Sequence, residues 1–415
     1  RVYVYDVPTI VLARRSYASD WDRQRLFSTL QEGFVPALLA DGATLTADPR
    51  AADLFVVPAG TTNSEGMLEY LQHLRAYVRR ALPYYNRSAG ADHVWFCSGD
   101  HCGDALNGAP GLGAGIALAH YFTTRGGGSP ARHISLAPFL AGATAAARAT
   151  YEGYGPRWLR AQRRQRDGPL LFFAGNLAIG LTGYSEGVRQ ALHRHHANTS
   201  GFRIVAKSPT YEEDYRRSVF CAAPLGEGWG IRLTWALAHG CIPVLFRSAR
   251  GARQFFDDVL DYDAFSITVE PADIPKLRDT LAAVPEARRD ALRAGMASHH
   301  RLLLWERPYG QAYDVTLRQL CERAKRLRTA RASLRCPPWT DLLLAAPAGT
   351  SEARRGGRGR SLQNGEAEGG VRRRGAARGL AVAAGRGGAG RGGGGRGGAK
   401  AGGAKAGGKA GGGKA

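Results

Sequence analysis

The chain has 415 residues, enough for two domains, and its 44% hydrophobic content excludes a chain that is disordered throughout. No run of 18 or more apolar residues and no signal-peptide pattern occurs in it, so nothing reads as a membrane-spanning helix. The net charge is +22, of which residues 351–415 supply +12 through 15 Lys and Arg against 3 Glu; the remaining body is mildly basic, which suits an anionic ligand.

A first domain is expected over residues 1–155. Val2–Tyr5 alternates as a strand, and Trp21–Leu39 has helical spacing with Ser19 or Asp20 as N-cap. Leu54–Val57 is a continuous apolar strand. Met67–Tyr85 is helical, and Val94–Cys97 is another buried strand. The Gly- and Ala-rich residues 103–130 read as loop or weak helix, followed by a short strand at His133–Leu136. Strands alternating with helices imply parallel βαβ units.

Arg157–Asp167 is a basic linker into a second domain, placed at 156–335. Leu170–Phe173 is its first strand, Glu186–His196 a helix, Ile204–Lys207 a strand and Thr210–Arg217 a short helix. Ile267–Glu270 is a late strand. Ile274–Trp305 is helical with a break near Pro285, and Val315–Arg328 is a terminal helix able to return to the first domain. Residues 340–415 end in GGAKAGGAKAGGKAGGGKA and have almost nothing apolar to bury, so a disordered basic tail is expected there.

The most informative stretch is Ser218–Phe246, SVFCAAPLGEGWGIRLTWALAHGCIPVLF. It reads as strand, glycine-rich loop, helix, tight turn and strand. Pro224 ends the first strand. Gly226, Gly228 and Gly230 let backbone approach a ligand, and Gly240 stops the helix that begins at Ile231. Free N–H groups at a helix start suit a diphosphate. The same pattern also describes an ordinary βαβ crossover whose glycines serve packing.

This stretch resembles the nucleotide-sugar-binding segment of exostosin-like glycosyltransferases (glycosyltransferase family 47). Further pieces recur in the family's order: RVYVYDVP at Arg1–Pro8, ADLFVVP at Ala52–Pro58, NRSAGADHVWFCSGD at Asn86–Asp100, LLFFAGN at Leu170–Asn176 and YDAFSITVEPADIP at Tyr262–Pro275. The resemblance covers roughly residues 1–325 and implies an α/β fold of GT-B type, two Rossmann-like domains facing across a cleft. It implies an inverting glycosyltransferase that uses a UDP-sugar and a polysaccharide or glycoprotein glycan acceptor. It also implies residence in the Golgi lumen behind an N-terminal membrane anchor. No anchor lies in this sequence, which is accordingly read as a fragment or trimmed chain. Family members often work in pairs, so a homo- or hetero-oligomer is a further expectation.

On this resemblance the leaving diphosphate falls to the backbone N–H groups of Gly228, Trp229, Gly230 and Ile231, with Arg232 as counter-charge. Gly175, Asn176 and Arg189 follow the first strand of the second domain at the mouth of the cleft. An inverting reaction needs a general base. Asp100 is the first candidate, with Asp104 and His101 beside it; Ser98-Gly99-Asp100 is equally good turn chemistry. Asp53 precedes a strand and is less suited. The family has a glutamate for the ribose hydroxyls where this chain has Trp235, which cannot accept them. Either Glu227 or another group takes over, or donor binding is altered, and the last outcome leaves a catalytically inactive glycan-binding or partner subunit as the alternative reading. No cofactor is required. Asp261-Tyr262-Asp263 has the letters of a D-x-D metal motif but the wrong setting, so no metal ligand is assigned and a divalent metal stays open.

Six cysteines permit disulfides in a lumenal setting. Cys97 and Cys102 are close enough to pair, and Cys321 with Cys336 would staple the end of the fold. Cys221 and Cys241 read at least as well as small buried hydrophobes. Asn86-Arg-Ser88 and Asn198-Thr-Ser200 are glycosylation sequons. Nucleic-acid binding through the tail is a third reading. It is weakened by the lack of a recognised module in the body and of aromatics in the tail.

Overall fold

Short runs of β-branched and aromatic residues, bounded by Gly, Pro and Asp, become ten strands in two five-stranded sheets in the computed structural model. The structure describes residues 1–7, 30–61, 67–97, 114–138, 166–181, 183–226, 228, 230–305, 309–327 and 333–339. Both sheets lie in one compact unit, Arg1–Ala353.

The first sheet contains β1 (Val2–Val4), β2 (Leu54–Thr61), β3 (His93–Cys97), β4 (Ile116–Ala119) and β5 (His133–Ser135). All four pairings are parallel and the strands follow chain order. The second sheet contains β6 (Leu171–Ala174), β7 (Phe202–Val205), β8 (Phe220–Ala222), β9 (Ile242–Phe246) and β10 (Ile267–Val269), all parallel, in the order β10-β9-β8-β6-β7. Parallel sheets are covered on both faces. That is why β3, β4, β6, β8 and β9 are buried at every position and read as unbroken apolar runs. Two α/β lobes of this kind are the GT-B architecture that the sequence implied.

Helices α1 (Leu30–Leu39) and α2 (Met67–Ala81) belong to the first lobe. The second holds α3 (Val188–His196), α4 (Tyr211–Arg217), α5 (Arg232–Ala238), α6 (Leu277–Ala282) and α7 (Glu286–His299). The terminal helix α8 (Ala312–Lys325) returns to the first lobe, as expected. Tyr313 Oη donates to Asp41 Oδ2 at 2.9 Å, and Arg323 Nη2 donates to the carbonyls of Pro130 and His133, each at 2.8 Å. The lobes also meet at the antiparallel bridge Thr123–Ala252 and through Phe256 N donating to Ser135 O at 2.7 Å.

Three elements differ from the sequence reading. The Gly/Ala-rich stretch contains β4, because Ala117 and Ala119 are buried in a central strand where tertiary packing overrides the helix preference of alanine. The Glu186–His196 helix starts only at Val188. Tyr184–Gly187 is a 3₁₀ turn in which Ser185 (φ 55°) and Glu186 (φ 49°) are left-handed. Cys221 and Cys241 are not free buried thiols but a disulfide joining β8 to the start of β9. Cys321–Cys336 forms as read, and Cys97 is also disulfide-bonded. The tail lies outside the described residues.

Candidate donor-binding crevice

Strand order decides where a ligand can enter. In an open α/β sheet, ligands bind beyond the carboxyl ends of strands at the point where the order reverses. The first sheet has no reversal among its described strands. In the second, β6 has β7 on one side and β8 on the other, and connections leave it in opposite directions. The crevice therefore opens between the segment after Ala174 and the segment after Ala222. Those are the two segments that carry Gly175-Asn176 and Pro224–Gly230.

Two arginines meet there. Arg232, the first residue of α5, bends back and donates from Nε to Ala174 O at 3.1 Å. A Cβ at Gly175 would sit 1.7 Å from Arg232 Nη2, so the guanidinium occupies the space that glycine leaves. Arg189, only 2% exposed, donates to Leu225 O (3.0 Å), Asn176 O (2.9 Å) and Tyr184 Oη (2.9 Å). It thus clamps both segments that border the crevice. The ring of Phe173 underlies both cations, 5.6 Å from the Arg189 guanidinium carbon and 5.0 Å from that of Arg232. Burial, and then the charge of Arg232, lower the Arg189 pKa to about 10, so it remains a cation at neutral pH. Among the described residues, neither arginine forms an ion pair with a carboxylate. Two neighbouring cations in a low-dielectric setting, with no carboxylate partner among the described residues, are chemically suited to an anion.

The loop is held from its other side by Ser185, whose N–H donates to Gly226 O at 3.1 Å and whose Oγ donates to Leu225 O at 2.7 Å. The next residue, Glu186, accepts from Ser248 Oγ (2.6 Å) and Ala249 N (2.7 Å). Gly226 and Gly228 line a small pocket with Ser185, Glu186, Arg250 and, from the first lobe, Tyr121. Pro224, Gly228 and Gly230 are buried; Ile231 and Arg232 are half-buried. The helix behind the loop has only seven residues, shorter than the Ile231–His239 segment read from sequence, so the arginines and not its dipole supply most of the positive potential. Gly240 takes φ +71° after its end, the left-handed conformation that stops a helix.

Other sequence candidates are placed as follows. Asn176 is exposed, and its Oδ1 accepts from Ala178 N at 3.0 Å. Asp53 accepts from the Arg1 amino group at 2.6 Å. Asp261 caps the 3₁₀ turn Tyr262–Ala264. Asp100, Asp104, His101, Glu227 and Trp229 lie outside the described residues.

Sequence reading missed Ser185, Glu186, Tyr184 and Phe173. Their roles arise from left-handed backbone and from stacking, neither of which leaves a composition signal. It also missed Asp257, which lines a second cleft with Arg247, Arg253, Asp263, Thr268 and Thr124 of the first lobe. Burial raises the Asp257 pKa to about 6, against the opposing pull of Arg253.

Fold and crevice together define a two-lobed α/β protein with two adjacent arginines at the switch point of its second sheet. Comparison with known proteins agrees with that class. The Exostosin GT47 domain model matches residues 1–284, and the chain belongs to this glycosyltransferase family. It is 26% identical over 330 residues to a probable glucuronoxylan glucuronosyltransferase of Arabidopsis thaliana, spanning 71% of this chain and 66% of that one. It is 28% identical over 354 residues to a probable glucuronosyltransferase of Oryza sativa subsp. japonica, spanning 78% and 80%. Among solved structures, Anabaena Alr3699/HepE in complex with UDP-glucose is similar at 10% identity and a TM-score of 0.38, over 79% of this chain and 99% of that chain.

Proposed function

We propose that the chain is an inverting glycosyltransferase that moves a sugar from a UDP-sugar onto a polysaccharide or glycoprotein glycan. The observation that carries this reading is the Arg189–Arg232 pair at the β6/β8 switch point, two cations over one Phe173 ring with no acid partner among the described residues. A diphosphate completes that site. Its developing charge as a leaving group is stabilised by Arg232, while Arg189 keeps the two bordering segments in place. The nucleotide is then bound by the second domain (156–335) and the acceptor by the first (1–155). Removal of the acceptor hydroxyl's proton is assigned to Asp100, with Asp104 as the alternative. No step in this scheme needs a metal. The relatives' names make UDP-glucuronate the first donor to test. The disulfides Cys221–Cys241 and Cys321–Cys336 suit an oxidising compartment, in keeping with a Golgi-lumenal setting. An oligomer with another copy or another transferase remains part of the proposal.

The test is calorimetric binding of UDP and a UDP-sugar panel, with release of UDP followed in the presence of glycan acceptors. Binding of one UDP-sugar, turnover, and loss of both in Arg232→Ala are the expected results. No binding of any uridine diphosphate overturns the reading. Binding without turnover would favour the inactive partner-subunit reading, which Trp235 in a usual carboxylate position supports.

A further inference from the structure

Helix α5, RLTWALA, has two half-buried side chains, Arg232 and Trp235, and its other five residues are buried. Three residues apart, the two lie on one face of the helix, about 5 Å apart along its axis. Arg232 is at the anion site. Trp235 therefore lies one helical turn from Arg232 on the same side of α5. Its ring is fixed in place: it stacks on buried His239 (5.3 Å, 21°) and takes Tyr211 edge-on (5.7 Å, 78°). Tyr211, also half-buried, is braced in turn by Tyr215 (5.0 Å, 69°). Val205, the last residue of β7, packs in the same cluster, and its carbonyl accepts from Gly175 N at 3.1 Å. The aromatic wall is thus joined to the lip of the crevice.

No carboxylate occurs in α5. On α4, Asp214 accepts from Arg203 and Thr210, Glu213 pairs with Arg217, and the half-buried Glu212 is likewise engaged. We infer that the donor's nucleoside is held by aromatic contact with Trp235 and Tyr211 and not by a carboxylate on its ribose. Trp235 is then a specificity-determining residue. This rests on the UDP-sugar reading above and sharpens it.

The consequence is measurable in the ligand. A site that hydrogen-bonds a hydroxyl rejects an analogue lacking it far more strongly than an apolar contact does. Calorimetry on the full chain would compare UDP, 2′-deoxy-UDP and 3′-deoxy-UDP. The three should bind within about threefold of each other, since no charged acceptor is lost. Trp235→Ala should weaken UDP by roughly 5- to 150-fold, the range for one base–aromatic stack, and Trp235→Phe should restore most of it. Trp235→Glu should create discrimination of about tenfold or more against the deoxy ligands, the signature of a new charged acceptor that a purely structural tryptophan would not confer. Tenfold or greater discrimination by the unmodified chain overturns the inference and leaves the donor reading intact, with Glu227 and Glu212 as the acids to replace next. Unchanged UDP binding in Trp235→Ala also overturns it. No UDP binding by the unmodified chain overturns both.

Discussion

The most discriminating substitution lies at a residue without a side chain. Gly175→Ala puts a methyl group where Arg232 Nη2 now sits, at 1.7 Å from the new Cβ. The guanidinium must leave its place beside Ala174 O and swing out of the crevice. The clashing atom is the end of a flexible side chain, but the backbone at Gly175 has φ +159°, which alanine adopts only with strain, so folding stability should fall by about 1–3 kcal/mol. Anion binding should change as well, and independently of that cost. A hydrogen bond to a charged group contributes about 1.5–3 kcal/mol, so Kd for UDP should rise roughly 10- to 150-fold, about as much as in Arg232→Ala. The two effects share one mechanism and should not add. In an Arg232→Ala background, Gly175→Ala should cost nothing further. Isothermal titration of the two single variants and the double variant, with urea unfolding as the stability control, reads this directly. Wild-type affinity in Gly175→Ala would refute the argument, and so would additive losses in the double variant.

Three further outcomes follow from burial. Arg189→Met leaves the carbonyl of Asn176 without its arginine donor and that of Leu225 with Ser185 Oγ alone; it should cost about 1–3 kcal/mol of stability in urea unfolding, and Arg189→Lys should not restore it because one ammonium cannot reach both segments. His239 is 1% exposed, neither ring nitrogen has a partner among the described residues, and burial followed by the charges of Arg216 and Arg166 lowers its pKa to about 4. A histidine that folds neutral contributes stability fully above its unfolded pKa and loses it as pH falls from about 6.5 to about 4, a change of roughly 3 kcal/mol; urea midpoints over that range should fall in the parent and flatten in His239→Phe. Replacing both Cys221 and Cys241 by alanine opens a link across 20 residues that contain the donor loop, and should lower stability by about 3 kcal/mol in the same assay.

Much of the fold was legible because parallel strands buried on both faces leave an unmistakable trace. FVV at Phe55–Val57, VWFC at Val94–Cys97 and IPVLF at Ile242–Phe246 are all buried in the places their composition implied. IALA at Ile116–Ala119 was not legible, since alanine owes its place in β4 to its neighbours on either side and not to any preference of its own. In the crevice, the glycine loop, Gly175 and both arginines could be named from sequence through the family resemblance, since the glycine spacing alone also describes an ordinary crossover and an arginine at a helix start is as often solvated. What each arginine does could not. Arg189 and Arg232 are both cations near a loop in the sequence, and only the partners Leu225, Asn176 and Ala174 separate the clamp from the half-buried charge. The Cys221–Cys241 bond was undecidable for a similar reason: each residue sits where an apolar side chain is also at home.

The turn between β6 and α3 gives the crevice a second property. Ala178, Ser185 and Glu186 are all non-glycine residues at positive φ, within nine positions. Such conformations cost of order 1 kcal/mol each and persist only where surrounding contacts outweigh them. Here those contacts diverge. Ser185 grips the donor loop at Leu225 and Gly226, whereas its neighbour Glu186 grips Ser248 and Ala249. Two residues further on, the segment held by Glu186 pairs with the first lobe: Thr124 N donates to Gly251 O and Arg125 N to Arg250 O. One strained dipeptide therefore ties the anion site to the contact between the lobes. A two-lobed transferase needs its donor site and its lobe contact to act together. In this chain Ser185 and Glu186 are one place where contacts of the donor loop and of the lobe junction are adjacent, α8 and the Phe256–Ser135 bond being further links between the lobes.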